Sequence, residues 1–350
     1  MKRVLGYVVA AAMAVAGAGE CAAQFTTTLR LQGVEDGKMV RLTNFDNQAV
    51  IDSLPASNET VTFSSDKYEP CVVRIMVGDD NYGDFILSNA DITHEVFAEE
   101  VPLGVRYTWK SHGGYNDSLN VVMDRLNDLS AQFRASEAQE ERDSLNNIFM
   151  LVLYNNMMEH GDNILGYRFF MIGANAMTEE QIETLTARHP SLKEYKAVNQ
   201  MIEWKRKLSS TQAGSMFKDF TMSYDGTEHK LSDVVGHGDY VLVDFWASWC
   251  GPCRAEMPHI KEAYEHFKGK NLKVLGVAVS DDPKKSLDSA ASMELPWEIW
   301  VNGSMDVLGA YGIRSIPHLI LFGPDGKILA RNFRGENIIP TIEKYMGGAD

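Results

Sequence analysis

The strongest constraint on this chain is a pair of cysteines that follows directly after an apolar run. The run is Val241–Trp246, and Cys250 and Cys253 come a few residues later. A short, continuous apolar run rich in valine is typical of a buried strand. Beyond the cysteines, apolar side chains recur at helical spacing, at Ala255, Ile260, Ala263, Tyr264 and Phe267. The pattern therefore predicts a strand that leads straight into a helix beginning near Cys250, as in an α/β fold.

The two cysteines are spaced for redox chemistry at this predicted junction. Unpaired N–H groups and the positive end of the helix dipole favour a thiolate at a helix N-terminus, where Cys250 is expected. Two intervening residues place Cys253 one helical turn further on, within reach of the Cys250 sulfur. We therefore expect the pair to alternate between a dithiol and a disulfide.

Two other interpretations of the cysteine pair stay open from the spacing alone. Half of a tetrahedral zinc site would need a second pair of ligands. The chain has only Cys21 and Cys71 besides this pair, and its histidines lack ligand spacing. A purely structural disulfide would close a very short loop, and the entropic gain from a disulfide grows with loop length. Both arguments favour a redox pair.

Charge and composition narrow the function classes further. The chain has 33 Lys and Arg against 48 Asp and Glu, a formal net charge of −15. Such a charge gives no chain-wide attraction for phosphate backbones, so a nucleic-acid partner is not expected. A hydrophobic fraction of 45% with 23% charged residues is typical of a folded globular protein and excludes a wholly disordered chain.

Two separated motifs resemble those of a known family. The first is Val243-Asp244-Phe245-Trp246-Ala247-Ser248-Trp249-Cys250-Gly251-Pro252-Cys253-Arg254. The second is Tyr311-Gly312-Ile313-Arg314-Ser315-Ile316-Pro317, followed by His318-Leu319-Ile320-Leu321-Phe322. They resemble the active-site turn and the cis-proline loop of thioredoxins, and the resemblance covers about residues 214–350. Glu256 before Pro258, and extra length at 281–302, are similar to the TlpA/ResA-like exported thioredoxins, whose pattern is Cys-X-X-Cys-X-X-Glu-X-Pro.

The resemblance implies catalytic roles for four residues. Cys250 attacks a substrate disulfide, and Cys253 resolves the resulting mixed disulfide. A buried acid takes the proton of Cys253: Asp244 stands at the thioredoxin position for this acid, and Glu256 at the position used in TlpA/ResA-like members. Burial raises a carboxyl pKa toward the value that a base near neutral pH requires. A solvent-facing Asp244 or a surface Glu256 is the alternative for each.

The resemblance also implies a substrate-contact surface around the two sulfurs. Its expected members are Trp249, Gly251, Pro252, Ile316 and Pro317. The Ile316–Pro317 peptide is expected in the cis form, since cis is accessible at low energy only in X–Pro bonds. In the family this loop exposes backbone for pairing with a substrate strand and keeps metal ions away from the cysteines.

Taken as a member of this family, the chain is expected to be an exported enzyme, a protein thiol-disulfide oxidoreductase. Its expected substrates are disulfide-containing envelope proteins, as in cytochrome c maturation, and a membrane thiol-transfer protein is the expected electron donor. No cofactor is implied beyond the redox-active Cys250–Cys253 disulfide, and no metal site. A thiol peroxidase of the peroxiredoxin type and a non-catalytic envelope binding protein on a thioredoxin scaffold stay open as alternatives. The motifs do not fix the redox direction.

The N-terminus has the pattern of a secretory signal peptide covering residues 1–23. Lys2 and Arg3 precede an uncharged stretch, Val4–Gly19, and small residues follow. A membrane span needs about 20 residues, and this stretch is shorter. An uncleaved membrane anchor is the alternative interpretation. The predicted location is the periplasm or cell envelope, with no membrane span after cleavage.

The middle of the chain divides into two blocks by periodicity. Residues 24–105 alternate short apolar runs with turn residues, the pattern of a small antiparallel β domain. Residues 106–213 favour helices and end in a linker at 209–214. The predicted fold class is therefore an α/β thioredoxin fold over 214–350, preceded by a β-rich domain and a helical segment. The β block resembles a small domain of unknown function that often precedes such modules in Gram-negative envelope proteins.

Local signals add detail to these two blocks. Thr178 with Gln181, and Ser191 with Glu194, have the spacing of capping boxes and predict two helix starts. Cys71 lies in an apolar, strand-like run and is predicted to be a buried free thiol. A resolving or intermolecular role for it stays open, because an unpaired cysteine in an exported protein is unusual.

Overall fold

The computed structural model describes residues 25–65, 70–78, 81–101, 104–224 and 226–347. The predicted signal peptide, residues 1–23, lies outside the described residues. The chain divides into two compact units. The first comprises the described residues up to Gly173 together with Arg188–Leu192, and the second comprises Ala174–Ala187 and the described residues from Lys193 onward. No helix within the described ranges is long and apolar enough to span a membrane.

The first unit opens with strands that form two four-stranded sheets. They are β1 (Phe25–Gln32), β2 (Met39–Asn44), β3 (Val50–Pro55), β4 (Thr60–Ser65), β5 (Cys71–Val77), β6 (Asn81–Leu87), β7 (Asp91–Val101) and β8 (Gly104–His112). The sheet orders are β4-β1-β7-β8 and β3-β2-β5-β6. Period-2 burial explains the strands: in β1, Thr27, Leu29 and Leu31 are fully buried and the residues between them are not. The predicted β-rich region is confirmed.

Two details of this region differ from the simple antiparallel prediction. Among the described residues of this region, every strand pair is antiparallel except β1 with β7, which are parallel. A parallel pair needs a connection that crosses over, and here the chain between β1 and β7 builds the second sheet on its way. The strands also continue to His112, beyond position 105.

The helical middle of the chain is also confirmed. The first unit contains α1 (Tyr115–Ala135), α2 (Gln139–His160) and α3 (Ile164–Gly173), and these are followed by α4 (Glu179–Arg188) and α5 (Lys196–Ser209). The Thr178 box is present: Gln181 N–H donates to Thr178 Oγ1 at 3.1 Å, and Thr178 N–H donates to Gln181 Oε1 at 2.8 Å. The Ser191 box is wrong. The Ser191 hydroxyl donates instead to the Gly161 carbonyl at 3.4 Å, and residues 190–194 form a 3₁₀ turn before α5.

The second unit is built on a five-stranded mixed sheet. After a hairpin of β9 (Thr221–Tyr224) and β10 (Thr227–Lys230) come β11 (Tyr240–Trp246), α6 (Gly251–His266), β12 (Leu272–Val279), α7 (Pro283–Ser292), β13 (Glu298–Gly303), α8 (Met305–Ala310), β14 (His318–Phe322), β15 (Ile328–Arg331) and α9 (Ile338–Met346). The order is β13-β12-β11-β14-β15, with β11, β12 and β13 parallel and β14 and β15 antiparallel to their neighbours. This is the predicted thioredoxin fold, with α7 and β13 supplying the extra length.

The central strand β11 separates two apolar layers. Val241, Val243 and Phe245 face a cluster that includes α8 and the β9–β10 hairpin. Leu242 and Trp246 face the opposite cluster, which includes α6, α9 and both active-site cysteines. Because side chains alternate along a strand, Asp244 points to the same side as Leu242 and Trp246. The strand therefore carries one carboxyl into the apolar layer beneath α6.

The segment predicted as a linker is tied to this sheet. Gly214 N–H donates to the Ile328 carbonyl at 2.7 Å, and the Thr211 hydroxyl donates to the Tyr311 carbonyl at 3.1 Å. Arg331 Nη1 donates to the Thr211 carbonyl at 2.8 Å. These bonds place α5 and the residues after it in one unit with the thioredoxin sheet.

Candidate active site

The two cysteines lie where β11 passes into α6. Cys250 is the N-cap of α6, and its sulfur accepts a hydrogen bond from the Cys253 backbone N–H at 3.1 Å. Pro252 in the first turn suits this helix start, because proline lacks the N–H that would be unpaired there. Cys250 and Cys253 form a disulfide with an S–S distance of 2.03 Å. The predicted strand-to-helix junction is thus where the structure places the pair.

The two sulfur-bearing residues differ in exposure. Cys253 is fully buried, whereas Cys250 is 5% exposed. Trp249, immediately before Cys250, is 64% exposed, and Gly251 after it is also exposed. Solvent therefore reaches the disulfide from the Cys250 side.

Asp244 is a buried carboxyl without a hydrogen-bond partner. The residue is 1% exposed, and neither of its carboxylate oxygens has a partner among the described residues. Burial and, to a smaller extent, the negative charge of Glu256 raise its pKa to about 8, against the opposing charge of Arg334. The alternative of a solvent-facing strand residue is wrong. Asp244 can exchange a proton near neutral pH in the layer that holds Cys253.

Glu256 is also buried, but its carboxylate is held by the backbone. It lies on α6 one turn after Cys253 and is 9% exposed. Its Oε1 accepts a hydrogen bond from the Gly335 backbone N–H. The alternative of a surface helix charge is therefore wrong. Of the two acids, Asp244 is the unpaired one, and Glu256 acts on it through its charge.

The proline loop adjoins the cysteines as predicted. The Ile316–Pro317 peptide is cis, which confirms that prediction. Pairing of Phe245 with His318 sets the loop beside the end of β11, and Ile316 packs against the cluster containing both cysteines. Arg334 Nη2 donates to the Pro317 carbonyl at 2.5 Å. After β15, Arg334 thus contacts the proline loop, and the next residue, Gly335, contacts Glu256.

Asp281 is a site residue that was not singled out from the sequence, although the segment containing it was. Ser248 N–H donates to its Oδ2 at 2.6 Å, and the Ser286 hydroxyl donates to the same oxygen at 2.7 Å. The Trp249 indole N–H donates to the neighbouring Ser280 carbonyl at 3.0 Å. Burial opposes ionisation of Asp281, but the hydrogen bonds from Ser248 and Ser286 hold its pKa below the usual value. The turn that leads into Cys250 is thereby fixed by the segment between β12 and α7.

His318, which follows the cis proline, is uncharged. It is 8% exposed, and its Nε2 lies 3.2 Å from Nη2 of Arg331. Since a guanidinium can only donate, that imidazole nitrogen accepts. Burial, together with the charges of Arg331 and Arg334, lowers the His318 pKa to about 3. His318 is a satisfied strand residue and not an acid catalyst.

Cys71 has the environment of an unreactive thiol. It is free and half-buried in β5 of the first unit. Burial and the charge of Asp46 raise its pKa to about 11, against a hydrogen bond to Asn44 that lowers it. The thiolate is the nucleophile, so Cys71 reacts slowly near neutral pH. In the part of the chain that is described, no cluster of three or more His, Cys, Asp and Glu side chains is placed to bind a metal ion.

Comparison with known proteins places this site in a family. A profile of the AhpC/TSA family matches residues 213–331. The thiol-disulfide oxidoreductase ResA of Geobacillus thermodenitrificans is 34% identical over 122 residues, which are 34% of this chain and 68% of that relative. The chain belongs to the ResA-like thiol-disulfide oxidoreductases. ResA of Bacillus subtilis is 28% identical over 138 residues, or 39% of this chain and 75% of that protein.

A ResA-like enzyme of the thioredoxin family is what the two motifs predicted, and the family and enzyme class are confirmed. The profile match includes both cysteines, Asp244, Glu256 and Asp281. Among solved structures, the thioredoxin domain of a thiol-disulfide oxidoreductase from Bacteroides vulgatus is 33% identical. The matched region covers 38% of this chain and 97% of the Bacteroides vulgatus domain, with a TM-score of 0.35.

Proposed function

We propose that this ResA-like protein is exported and reduces disulfides of envelope proteins through the Cys250–Cys253 dithiol. The observation that carries the proposal is the unpaired, buried Asp244, whose pKa of about 8 suits a proton acceptor for Cys253. A disulfide serving only to stabilise the fold would gain nothing from an uncompensated carboxyl beneath it, because burying such a group without a partner costs free energy.

The first step takes place at the exposed side of the pair. In the dithiol form, Cys250 at the N-terminus of α6 is the thiolate, favoured by the helix dipole and the Cys253 N–H that points at its sulfur. It attacks one sulfur of the substrate disulfide. A Cys250–substrate disulfide forms, and the second substrate sulfur leaves as a thiolate that takes a proton from water.

The second step releases the substrate. Cys253 is fully buried, and a thiol becomes a nucleophile only when a nearby base accepts its proton. We assign that base to Asp244, with the charge of Glu256 raising its proton affinity. The Cys253 thiolate attacks the Cys250 sulfur, the internal disulfide forms, and the substrate sulfur that was bonded to Cys250 leaves as a thiolate. Two electrons pass from the enzyme to the substrate.

The remaining parts of the proposal concern the surroundings of this cycle. The dithiol is regenerated by exchange with a membrane thiol-transfer protein, and cytochrome c maturation is one process that needs such a reductant. Export is supported by the pattern of residues 1–23. Substrate contacts are assigned to Trp249, Gly251 and Pro252 on one side of the sulfurs, and to Ile316–Pro317 on the other. The disulfide is proposed to be the sole redox group.

Trapping of the mixed disulfide tests this function. Cys253→Ser lacks the resolving thiol, so in the native compartment it should accumulate disulfide-linked adducts with polypeptides. Cys71→Ser is the matched control and should behave as wild type, since the Cys71 thiol is half-buried and its pKa is raised. A folded Cys253→Ser protein without adducts would contradict the reductase.

An enzymatic assay separates this function from its two alternatives. Wild-type protein should accelerate reduction of insulin by dithiothreitol, and Cys250→Ser should not. A thiol peroxidase would instead consume hydrogen peroxide at the expense of dithiothreitol with little effect on insulin. A binding protein would do neither.

A further inference from the structure

A tryptophan outside the thioredoxin sheet reaches the loop that carries the cis proline. Trp204 lies on α5, and its indole N–H donates to the Gly312 carbonyl at 2.7 Å. Gly312 is five residues before Pro317, in the loop that follows α8. Both residues belong to the second unit. The contact therefore links the helix before the sheet to the backbone that leads to the cis proline.

The same tryptophan holds a second residue of this loop. The Arg314 guanidinium carbon lies 3.9 Å from the centroid of the Trp204 ring, a close cation–π contact. Arg314 Nη1 also donates to Asn175 Oδ1 at 2.6 Å. Lys205 Nζ donates to the Asn175 carbonyl at 2.8 Å, which fixes Asn175 against α5. Arg314 is thus held by Trp204 of α5 and by Asn175, which Lys205 of α5 holds in turn.

Backbone packing and hydrogen bonds hold the loop close against α5. Gly312 has φ +62°, and a Cβ atom there would lie 2.8 Å from the Leu208 backbone nitrogen, so only glycine permits this approach. The carbonyl of the preceding residue, Tyr311, accepts hydrogen bonds from Thr211 Oγ1 at 3.1 Å and from Arg331 Nη2 at 2.9 Å. The loop is therefore fixed at Tyr311, at Gly312 and at Arg314.

We propose that Trp204 is a positioning residue that sets the cis-proline loop for contact with polypeptide substrates. This inference rests on the proposed function. Arg314 and Ser315 are exposed, while Ile316 packs against the cluster that contains both cysteines. A polypeptide whose disulfide meets the Cys250 sulfur must lie along these residues. A small disulfide meets the sulfur alone and does not need the loop in place.

The test compares two disulfides in the full-length chain. Reduced protein is mixed with insulin or with hydroxyethyl disulfide, and oxidation of the dithiol is followed by acid quenching, alkylation and mass spectrometry. Trp204→Ala removes one hydrogen bond and the cation–π contacts of the ring with Arg314 and Lys205. We therefore expect about tenfold slower reaction with insulin and less than about twofold change with hydroxyethyl disulfide. Trp204→Phe keeps a ring for Arg314 but loses the N–H, and should fall between.

Two controls separate positioning from general destabilisation. Val198→Ala removes two buried methyl groups from the same helix. It should lower the melting temperature while leaving the ratio of the two rates unchanged. Amide hydrogen exchange of Ile313, whose N–H donates to the Leu308 carbonyl at 2.9 Å, should accelerate in Trp204→Ala and not in Val198→Ala.

The outcomes distinguish this inference from the function on which it rests. Equal loss of both rates in Trp204→Ala, or no change in either, would overturn the positioning role. If neither disulfide oxidises the dithiol of the wild-type protein, the proposed reductase function is wrong. In that case the exchange of Ile313 still decides whether Trp204 fixes the loop, and unchanged exchange in Trp204→Ala would overturn it.

Discussion

Replacing Asp244 with asparagine should stabilise the protein and slow its chemistry, with a pH dependence that identifies the cause. The pKa of Asp244 is raised from 3.8 to about 8, chiefly because the side chain is buried. A carboxyl whose pKa is higher in the folded state than in the unfolded chain stabilises the fold. This contribution is fully present at pH values below the pKa of the unfolded chain. That contribution is lost as the pH rises toward the folded pKa, since ionisation is then easier in the unfolded chain.

The size of the effect follows from the two pKa values. At about 1.4 kcal/mol per pH unit, the interval between 3.8 and about 8 corresponds to a penalty on the order of 5 kcal/mol above pH 8. The asparagine side chain of the variant cannot ionise and escapes the penalty. The free energy of unfolding of Asp244→Asn should therefore match that of wild type near pH 4, and exceed it increasingly up to about pH 8.

Guanidinium unfolding of the oxidised protein at a series of pH values measures this difference. All tryptophans except Trp109 lie in the second unit, so tryptophan fluorescence reports mainly on the unit that contains Asp244. Asp288→Asn, at an exposed position on α7, is the matched control and should show no comparable pH-dependent gain. A difference between Asp244→Asn and wild type that stays constant from pH 4 to pH 9 would refute the assignment of a raised pKa.

The same variant tests the role of Asp244 in the reaction. Without an acceptor for the Cys253 proton, resolution of a preformed mixed disulfide at pH 7 should slow by about 100-fold, the usual contribution of a positioned base. If resolution is as fast as in wild type while Glu256→Gln is slow, the proton acceptor is Glu256 and our assignment is wrong.

Three further predictions follow from the site. Iodoacetamide at pH 7 should label Cys250 before Cys253 in the reduced protein, and the reverse order would overturn their roles. Asp281→Ala should lower the melting temperature by a few degrees and change the rate of Cys250 alkylation, because the turn before the cysteine loses the hydrogen bond from Ser248 and α7 loses the one from Ser286; an unchanged rate would remove Asp281 from the site. Residues 174–350 expressed alone should melt at a higher temperature than residues 214–350, since α5 packs on the proline loop, and equal melting temperatures would contradict that packing.

Local patterns were sufficient to predict where the site lies in the fold. An apolar run, a Cys-X-X-Cys and a helical stripe predicted the β11–α6 junction, and the junction is observed. The cis peptide at Ile316–Pro317 was predicted from its motif and is present. Burial of Asp244 followed from its apolar flanks. In each case the determining residues are neighbours in sequence, so the signal is local.

Contacts between distant parts of the chain were not predictable in the same way. Asp281 fixes Ser248 across 33 positions, and Trp204 binds Gly312 across 108 positions. Neither partner carries a motif that points to the other. The Ser191 capping box failed for the same reason, because its hydroxyl meets a carbonyl of another helix end, Gly161, instead of its own helix. Tertiary geometry decides such contacts, and spacing along the chain does not encode it.

The reduction potential of the Cys250–Cys253 pair is the most direct test of a reductase. It can be measured in the full-length protein by equilibration with defined dithiothreitol or glutathione redox buffers, followed by alkylation of free thiols. A reductant of envelope disulfides should have a potential near that of thioredoxin, about −270 mV. A potential near that of the periplasmic oxidant DsbA, about −120 mV, would contradict the reductase and indicate an enzyme that oxidises or isomerises its substrates.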